Sequence, residues 1–256
     1  MLETFEVYIP TTKAQRTIRV YVPDTCCELS PCDILFMHDA QNLFDDAMSY
    51  HEVSWRVQDA IEQSKYNHLI VVGIDNHPEE RMNEYSPYET AIDLKDRFIN
   101  GSGGKGYQYI DFIVKELLPI IKSKYSTTEN YFMAGSSMGA YISMFAAMKY
   151  PALFQVIGSF SVASWFNEKL FLEALNQSKL NINTKFWVTV GSQESSSSSI
   201  EEFPEIYINN SKHLVETLKN KGIKTIYFEI NDGAHNERQW MELFPKFLDF
   251  IYKKVV

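Results

Sequence analysis

Short, almost continuously apolar runs recur along this chain, and segments of helical period stand between them. Residues 33–38 and 69–74 carry hardly a polar side chain. A strand with one face in water alternates apolar with polar residues, whereas a run this uniform belongs in a sheet covered on both faces. Residues 131–135, 156–161, 186–191 and 225–230 are read as further strands. Between them, residues 107–124 place Ile110, Ile113, Val114, Leu117 and Leu118 on one helical face. Pro119 predicts a kink in that helix. Residues 138–149 predict a helix stopped by Pro151, and further helices are expected around 168–176, 206–221 and 239–254. Ahead of all this, residues 4–9 and 17–22 are rich in β-branched residues and Tyr, and the turn-like stretch 10–13 separates them. They predict an antiparallel hairpin. The alternation of strand and helix that follows requires an α/β fold, with a mostly parallel sheet of about eight strands and helices on both faces. Ligands of such sheets gather at the carboxyl ends of the strands.

The chain has 256 residues and no long linker, so one domain over 1–256 is expected. The one low-complexity stretch, polyserine at 195–199, reads as a flexible surface loop. Twenty-four Lys and Arg stand against 33 Asp and Glu, a formal net charge of −9. That balance argues against nucleic acid, whose binding rests on neutralising phosphates. No apolar run approaches the ~20 residues of a membrane helix. The first residues are acidic and alternating, unlike a secretory leader. Cys26, Cys27 and Cys32 are odd in number and crowd one segment, so they are read as reduced thiols and not as a zinc site. These features together predict a cytoplasmic protein, and they leave room for a homo-oligomer.

The residues that carry chemistry begin with Gly135-Ser136-Ser137-Met138-Gly139. This is G-x-S-x-G between a predicted strand and a predicted helix, the setting of a nucleophile elbow. The turn is so tight that the flanking positions must lack bulk. It lifts the Ser137 hydroxyl above the sheet, and the following helix aims its free amides at the same spot. Ser136 is expected to face the packing side. A hydroxyl needs a base. Of His38, His51, His68, His77, His213 and His235, the last is favoured, because it follows the final strand in Asp232-Gly233-Ala234-His235-Asn236 and comes late in the chain. His38 is expected to help shape the mouth of the site. Glu194, three residues past the strand at 186–191, is the preferred acid to orient the imidazole, with Asp232 as its rival. An oxyanion hole needs two amides. Met138 would supply one, and Gln41, in the loop after residue 38, the other.

These residues lie within Tyr21-Val22-Pro23, Met37-His38-Asp39-Ala40-Gln41-Asn42-Leu43-Phe44, Arg81-Met82-Asn83-Glu84-Tyr85-Ser86-Pro87, the elbow, Gly191-Ser192-Gln193-Glu194 and His235-Asn236-Glu237-Arg238-Gln239-Trp240. In that order the set resembles an esterase family of the α/β-hydrolases, which includes esterase D-like, feruloyl, acetyl-xylan and siderophore trilactone esterases. The resemblance implies a serine ester hydrolase working through an acyl-enzyme, with Ser137, His235 and Glu194 as its triad. It implies no metal or organic cofactor, and a small soluble ester as the partner molecule, a siderophore lactone among the options. It also implies Arg81 and Tyr85 as walls of the substrate pocket, to which Trp165 would add an apolar surface. Ala40 and Ala140 stand where the family usually has Gly, and the added methyl of Ala40 is expected to narrow the acyl side. Two other classes fit the same fold: an acyltransferase, and a binding module without catalysis.

Overall fold

The computed structural model describes residues 1–50, 52–91, 101–197 and 200–253. His51, the last two serines of the polyserine stretch and Lys254 lie outside the described residues. Strands β1 (Leu2–Ile9) and β2 (Ala14–Tyr21) form the antiparallel hairpin. Then come β3 (Cys32–His38), helix α1 (Val57–Gln63), β4 (Leu69–Ile74) and helix α2 (Arg81–Glu84). Helices α3 (Gly106–Phe112) and α4 (Leu118–Lys124) precede β5 (Thr127–Ser136), α5 (Met138–Lys149) and β6 (Phe154–Phe160). The chain continues through α6 (Glu168–Gln177), β7 (Lys185–Gln193), α7 (Phe203–Asn220), β8 (Thr225–Ala234) and α8 (Glu237–Tyr252).

All eight strands join one sheet in the order β1-β2-β4-β3-β5-β6-β7-β8. β2 meets β4 antiparallel, and every pair from β4 onward is parallel. The apolar runs explain this centre. In β3, Ile34 and Phe36 point into one cluster of core residues while Leu35 and Met37 point into another. In β4, Ile70, Val72 and Ile74 share the first cluster, and Leu69 and Val71 the second. Helices α3 to α7 supply apolar residues to the first cluster, and α1 and α8 to the second. Uniform hydrophobicity along β3 and β4 is thus the requirement of a sheet with helices on both sides.

The helix predicted over 107–124 is present but broken. A π-helical turn at Ile113–Leu117 separates α3 from α4, and Pro119 is in the first turn of α4. Proline has no N–H to give the carbonyl four residues back, and a locally widened turn relieves that conflict.

The reading of three reduced thiols is corrected. Cys26 and Cys32 form a disulfide, with their Cα atoms 5.8 Å apart, and Cys27 is the exposed free thiol. The argument from the cysteines to a reducing compartment falls with it. Among the described residues, no helix is long and apolar enough to cross a membrane.

Candidate active site

Ser137 stands between the last residue of β5 and the first of α5, with φ 55° and ψ −121°. A non-glycine residue pays for positive φ in steric strain, and the surroundings must hold it there. They do so through backbone bonds. The Ser137 amide donates to the Phe160 carbonyl at 2.9 Å, and the Ser137 carbonyl accepts from Tyr141 at 3.1 Å and Ala163 at 3.2 Å. The glycines serve the turn as expected: a Cβ on Gly135 would lie 2.7 Å from the Gly139 carbonyl carbon. A Cβ on Gly139 would come within 3.2 Å of the His38 side chain, so strand end, turn and the loop after β3 are pressed together. Met138 opens α5, and first-turn amides have no partner within their own helix.

Glu194 and His235 leave the neighbouring strands β7 and β8 at the same level. Their approach is close because a Cβ on Gly191 would lie only 2.2 Å from the Gly233 carbonyl oxygen. Glu194 is fully buried. Its Oε1 accepts from the Gly191 amide at 2.7 Å, and its Oε2 is 2.5 Å from His235 Nδ1. A carboxylate only accepts, so Nδ1 carries the proton and Nε2 is left as the basic nitrogen. The imidazole is held between rings: Tyr207 and Trp240 each lie 5.1 Å away, centroid to centroid. Asp232 is exposed and its main-chain carbonyl accepts from Gln193; the carboxylate bonded to the imidazole is that of Glu194.

The loop after β3 is fixed from beneath. Asp39 adopts φ 56° and ψ 47°, a left-handed conformation that Asp tolerates better than most residues. Its carboxylate accepts from Arg81 Nε at 2.7 Å, Arg81 Nη2 at 2.9 Å and Asn76 Nδ2 at 2.6 Å. Burial opposes the charge of Asp39, but Arg81 and Asn76 outweigh it and keep the carboxyl below its ordinary range. The Asp39 amide donates to the Tyr85 hydroxyl at 3.1 Å, and Asn76 N–H donates to Gln41 Oε1 at 3.2 Å. Gln41 is the second residue of a short 3-10 turn at Ala40–Asn42.

These groups border a cleft of about 990 Å³, lined among others by Gln41, Arg81, Ser137, Met138, Trp165 and His235. No hydrogen bond joins Ser137 to His235 among the described residues, although they share the cleft.

Several expectations change. Tyr85 is fully buried beneath the loop and supports Asp39, so it does not form a cleft wall. Arg81 does line the cleft, but its guanidinium is committed to Asp39. His38 is buried, not at the mouth; its Nδ1 is 3.0 Å from the Tyr109 hydroxyl, and burial lowers its pKa to about 4. Ser136 reaches the cleft instead of the packing side. The methyl of Ala40 meets Gly73, where a Cβ would come within 2.7 Å, so it does not narrow the cleft. Ser195, Ser196 and Ser197 line the cleft, which makes these first three residues of the polyserine stretch part of the site. The sequence reading missed Tyr207 and Trp240, because aromatic residues on helices look like core.

The comparisons with known proteins agree with this architecture. The profile of the family "Putative esterase" matches residues 9–251. The chain belongs to this esterase family. One relative, the uncharacterized protein YbbA of Bacillus subtilis (strain 168), is 29% identical over 227 residues, covering 86% of this chain and 85% of that protein. Among solved structures, an IroE-like serine hydrolase from Shewanella oneidensis superposes with TM-score 0.77 at 18% identity, over 99% of this esterase-family chain and 82% of the other. The enterobactin esterase FES from Shigella flexneri, determined in the presence of enterobactin, gives TM-score 0.74 at 15% identity, over 98% of this chain and 58% of the other. The fold is that of the α/β-hydrolases.

Proposed function

We propose that this member of the esterase family hydrolyses a carboxylic ester through an acyl-enzyme. Ser137 attacks the ester carbonyl while His235 Nε2 takes its proton, and Glu194 stabilises the imidazolium that forms. The Met138 and Gln41 amides receive the oxyanion. The imidazolium then protonates the leaving alkoxide, and water repeats the sequence in reverse. One observation carries the reading: a buried carboxylate bonded to the imidazole of His235, in the same cleft as a serine held at positive φ. The cleft volume of about 990 Å³ suits a ligand at the large end of the small-molecule range. Together with the siderophore hydrolase and the enterobactin esterase among the similar structures, this supports a bulky soluble ester such as a siderophore lactone.

A fluorophosphonate probe tests the assignment. The wild-type protein is expected to be labelled covalently and Ser137→Ala to be silent; labelling that persists in Ser137→Ala would remove the serine from its role. Glu194→Gln is expected to lose far more nitrophenyl-ester hydrolysis than Asp232→Asn, and the reverse order would move the acid to Asp232. A trilactone siderophore and a feruloyl ester, run beside nitrophenyl esters of graded acyl length, locate the substrate class.

A further inference from the structure

The cleft extends beyond Ser137, Glu194 and His235. Strands run in the order β4-β3-β5, so the residues that follow β4 border it on the side of Ser137 away from Glu194 and His235. Asn76, Pro78 and Met82 are among them. Gln41 reaches toward this side from the loop after β3, and its Oε1 accepts from the Asn76 main-chain amide at 3.2 Å. That bond fixes which way the carboxamide points, because only its oxygen can accept from an N–H. Nε2, with two N–H donors, is therefore on the opposite edge. It has no hydrogen-bond partner among the described residues, and it is not one of the enclosed polar atoms. Asn76 is itself held in place. Its Nδ2 donates to Asp39 Oδ1 at 2.6 Å. The residue before it, Asp75, accepts from Arg19 Nε and Nη2 at 2.7 and 2.8 Å and donates its amide to the Thr17 carbonyl at 3.1 Å. The cleft wall thus carries a pair of oriented donors for which the protein supplies no acceptor.

We propose that the Gln41 carboxamide is a specificity-determining donor: Nε2 donates to an oxygen of the substrate other than those of the scissile ester. The substrate class is an ester with a second oxygen acceptor, an ether, hydroxyl or carbonyl, close to the bond that breaks. The proposal rests on the serine-hydrolase reading, which already gives the Gln41 main-chain amide to the oxyanion. Main chain and side chain of one residue then read two oxygens of one molecule. The bonds between the two nitrogens span at most about 6 Å, so the second oxygen belongs within a few bonds of the ester carbonyl. Preorganisation decides the gain. A free glutamine side chain loses rotamer freedom when it binds, and here the bond from Asn76 has already taken most of that freedom away.

The test compares oxygen-bearing esters with their methylene analogues: nitrophenyl methoxyacetate against butanoate, nitrophenyl methoxypropanoate against pentanoate, and methoxyethyl acetate against butyl acetate. Each ratio of kcat/KM is divided by the ratio for hydroxide in free solution, which removes the electronic effect of the added oxygen. The wild type should favour oxygen in at least one pair by roughly 3- to 10-fold, the value of one neutral hydrogen bond. Gln41→Met keeps the length and the main-chain amide but has no donor. Its ratio should fall to about 1, whatever happens to the two rates separately. Gln41→Glu keeps an acceptor for Asn76 and puts a carboxylate oxygen where Nε2 stood, so the preference should turn against oxygen. A wild type with no preference in any pair overturns the proposal, and so does a preference that survives in both variants. Should thermal unfolding show that one variant is not folded, the other decides. Esters that the wild type does not hydrolyse, or that Ser137→Ala hydrolyses as fast, sink the serine reading and this proposal with it. Hydrolysis that depends on Ser137 but shows no preference for oxygen sinks this proposal alone.

Discussion

Asp39 binds two requirements into one side chain. Its backbone is left-handed, which turns the chain from β3 into the loop that carries Gln41, and its carboxylate anchors the turn through Arg81 and Asn76. The two can be separated. Asn tolerates left-handed backbone as Asp does, so Asp39→Asn removes the charge and leaves the conformation accessible. Arg81 would then remain in a mostly enclosed site without a counter-charge. Breaking a fully buried pair costs about 3–5 kcal/mol; with the Arg81 side chain 23% exposed, about 2 kcal/mol is the reasonable expectation. Urea unfolding should report that loss, with kcat falling because the Gln41 amide loses its anchor. Stability and kcat both at wild-type level would show that the loop does not depend on the ion pair.

Two strand ends decide whether Glu194 meets His235. β7 and β8 approach so closely at Gly191 and Gly233 that no side chain fits at Gly191. Gly191→Ala would drive a methyl into the Gly233 carbonyl and to within 3.2 Å of Glu194 Oε1. The strands must part there, and overpacking of this kind costs about 1–3 kcal/mol. A displacement near 1 Å in a catalytic group can cost about 10²-fold in rate, so activity should fall by far more than stability. Measured kcat beside Tm checks this; a variant with wild-type kcat would refute the tight strand contact as the device that unites Glu194 and His235. The elements themselves were largely legible. The apolar runs of β3 and β4, the glycines around Ser137 and the helix ending before Pro151 each have one physical solution. Less legible were features that need the third dimension. Helices α1 and α2 are too short for a period to declare itself. Tyr207 reads as one more core aromatic until α7 is packed beside β7. The polyserine stretch looks like solvent-exposed chain until it borders the cleft. Arg81 and Tyr85 were found as important positions, but their task is to hold Asp39.

The sheet order sorts the molecule into two ends, to which the proposed function gives different work. Ser137, Glu194 and His235 follow the carboxyl ends of β5, β7 and β8, and Asp39 and Gln41 follow β3. The disulfide is at the other end of the same strand, because Cys32 is the first residue of β3 and His38 the last. A strand of seven residues spans about 20 Å, so the bond and the cleft are a full sheet-length apart. The link should then serve stability without serving chemistry. Joining residues six apart in sequence closes a small loop, and its effect on the unfolded chain is about 2 kcal/mol. For a chain of this size that corresponds to a Tm lower by about 5 °C when the bond is absent. Cys26→Ser is the sharper variant, since it leaves Cys32 in the core while removing its partner. At 25 °C the variant and the dithiothreitol-reduced wild type should hydrolyse nitrophenyl esters at the wild-type rate, and both should unfold at the same lowered temperature. A loss of kcat at 25 °C with Tm unchanged would contradict the division, because it would make the carboxyl end of β3 answer to a bond at its start.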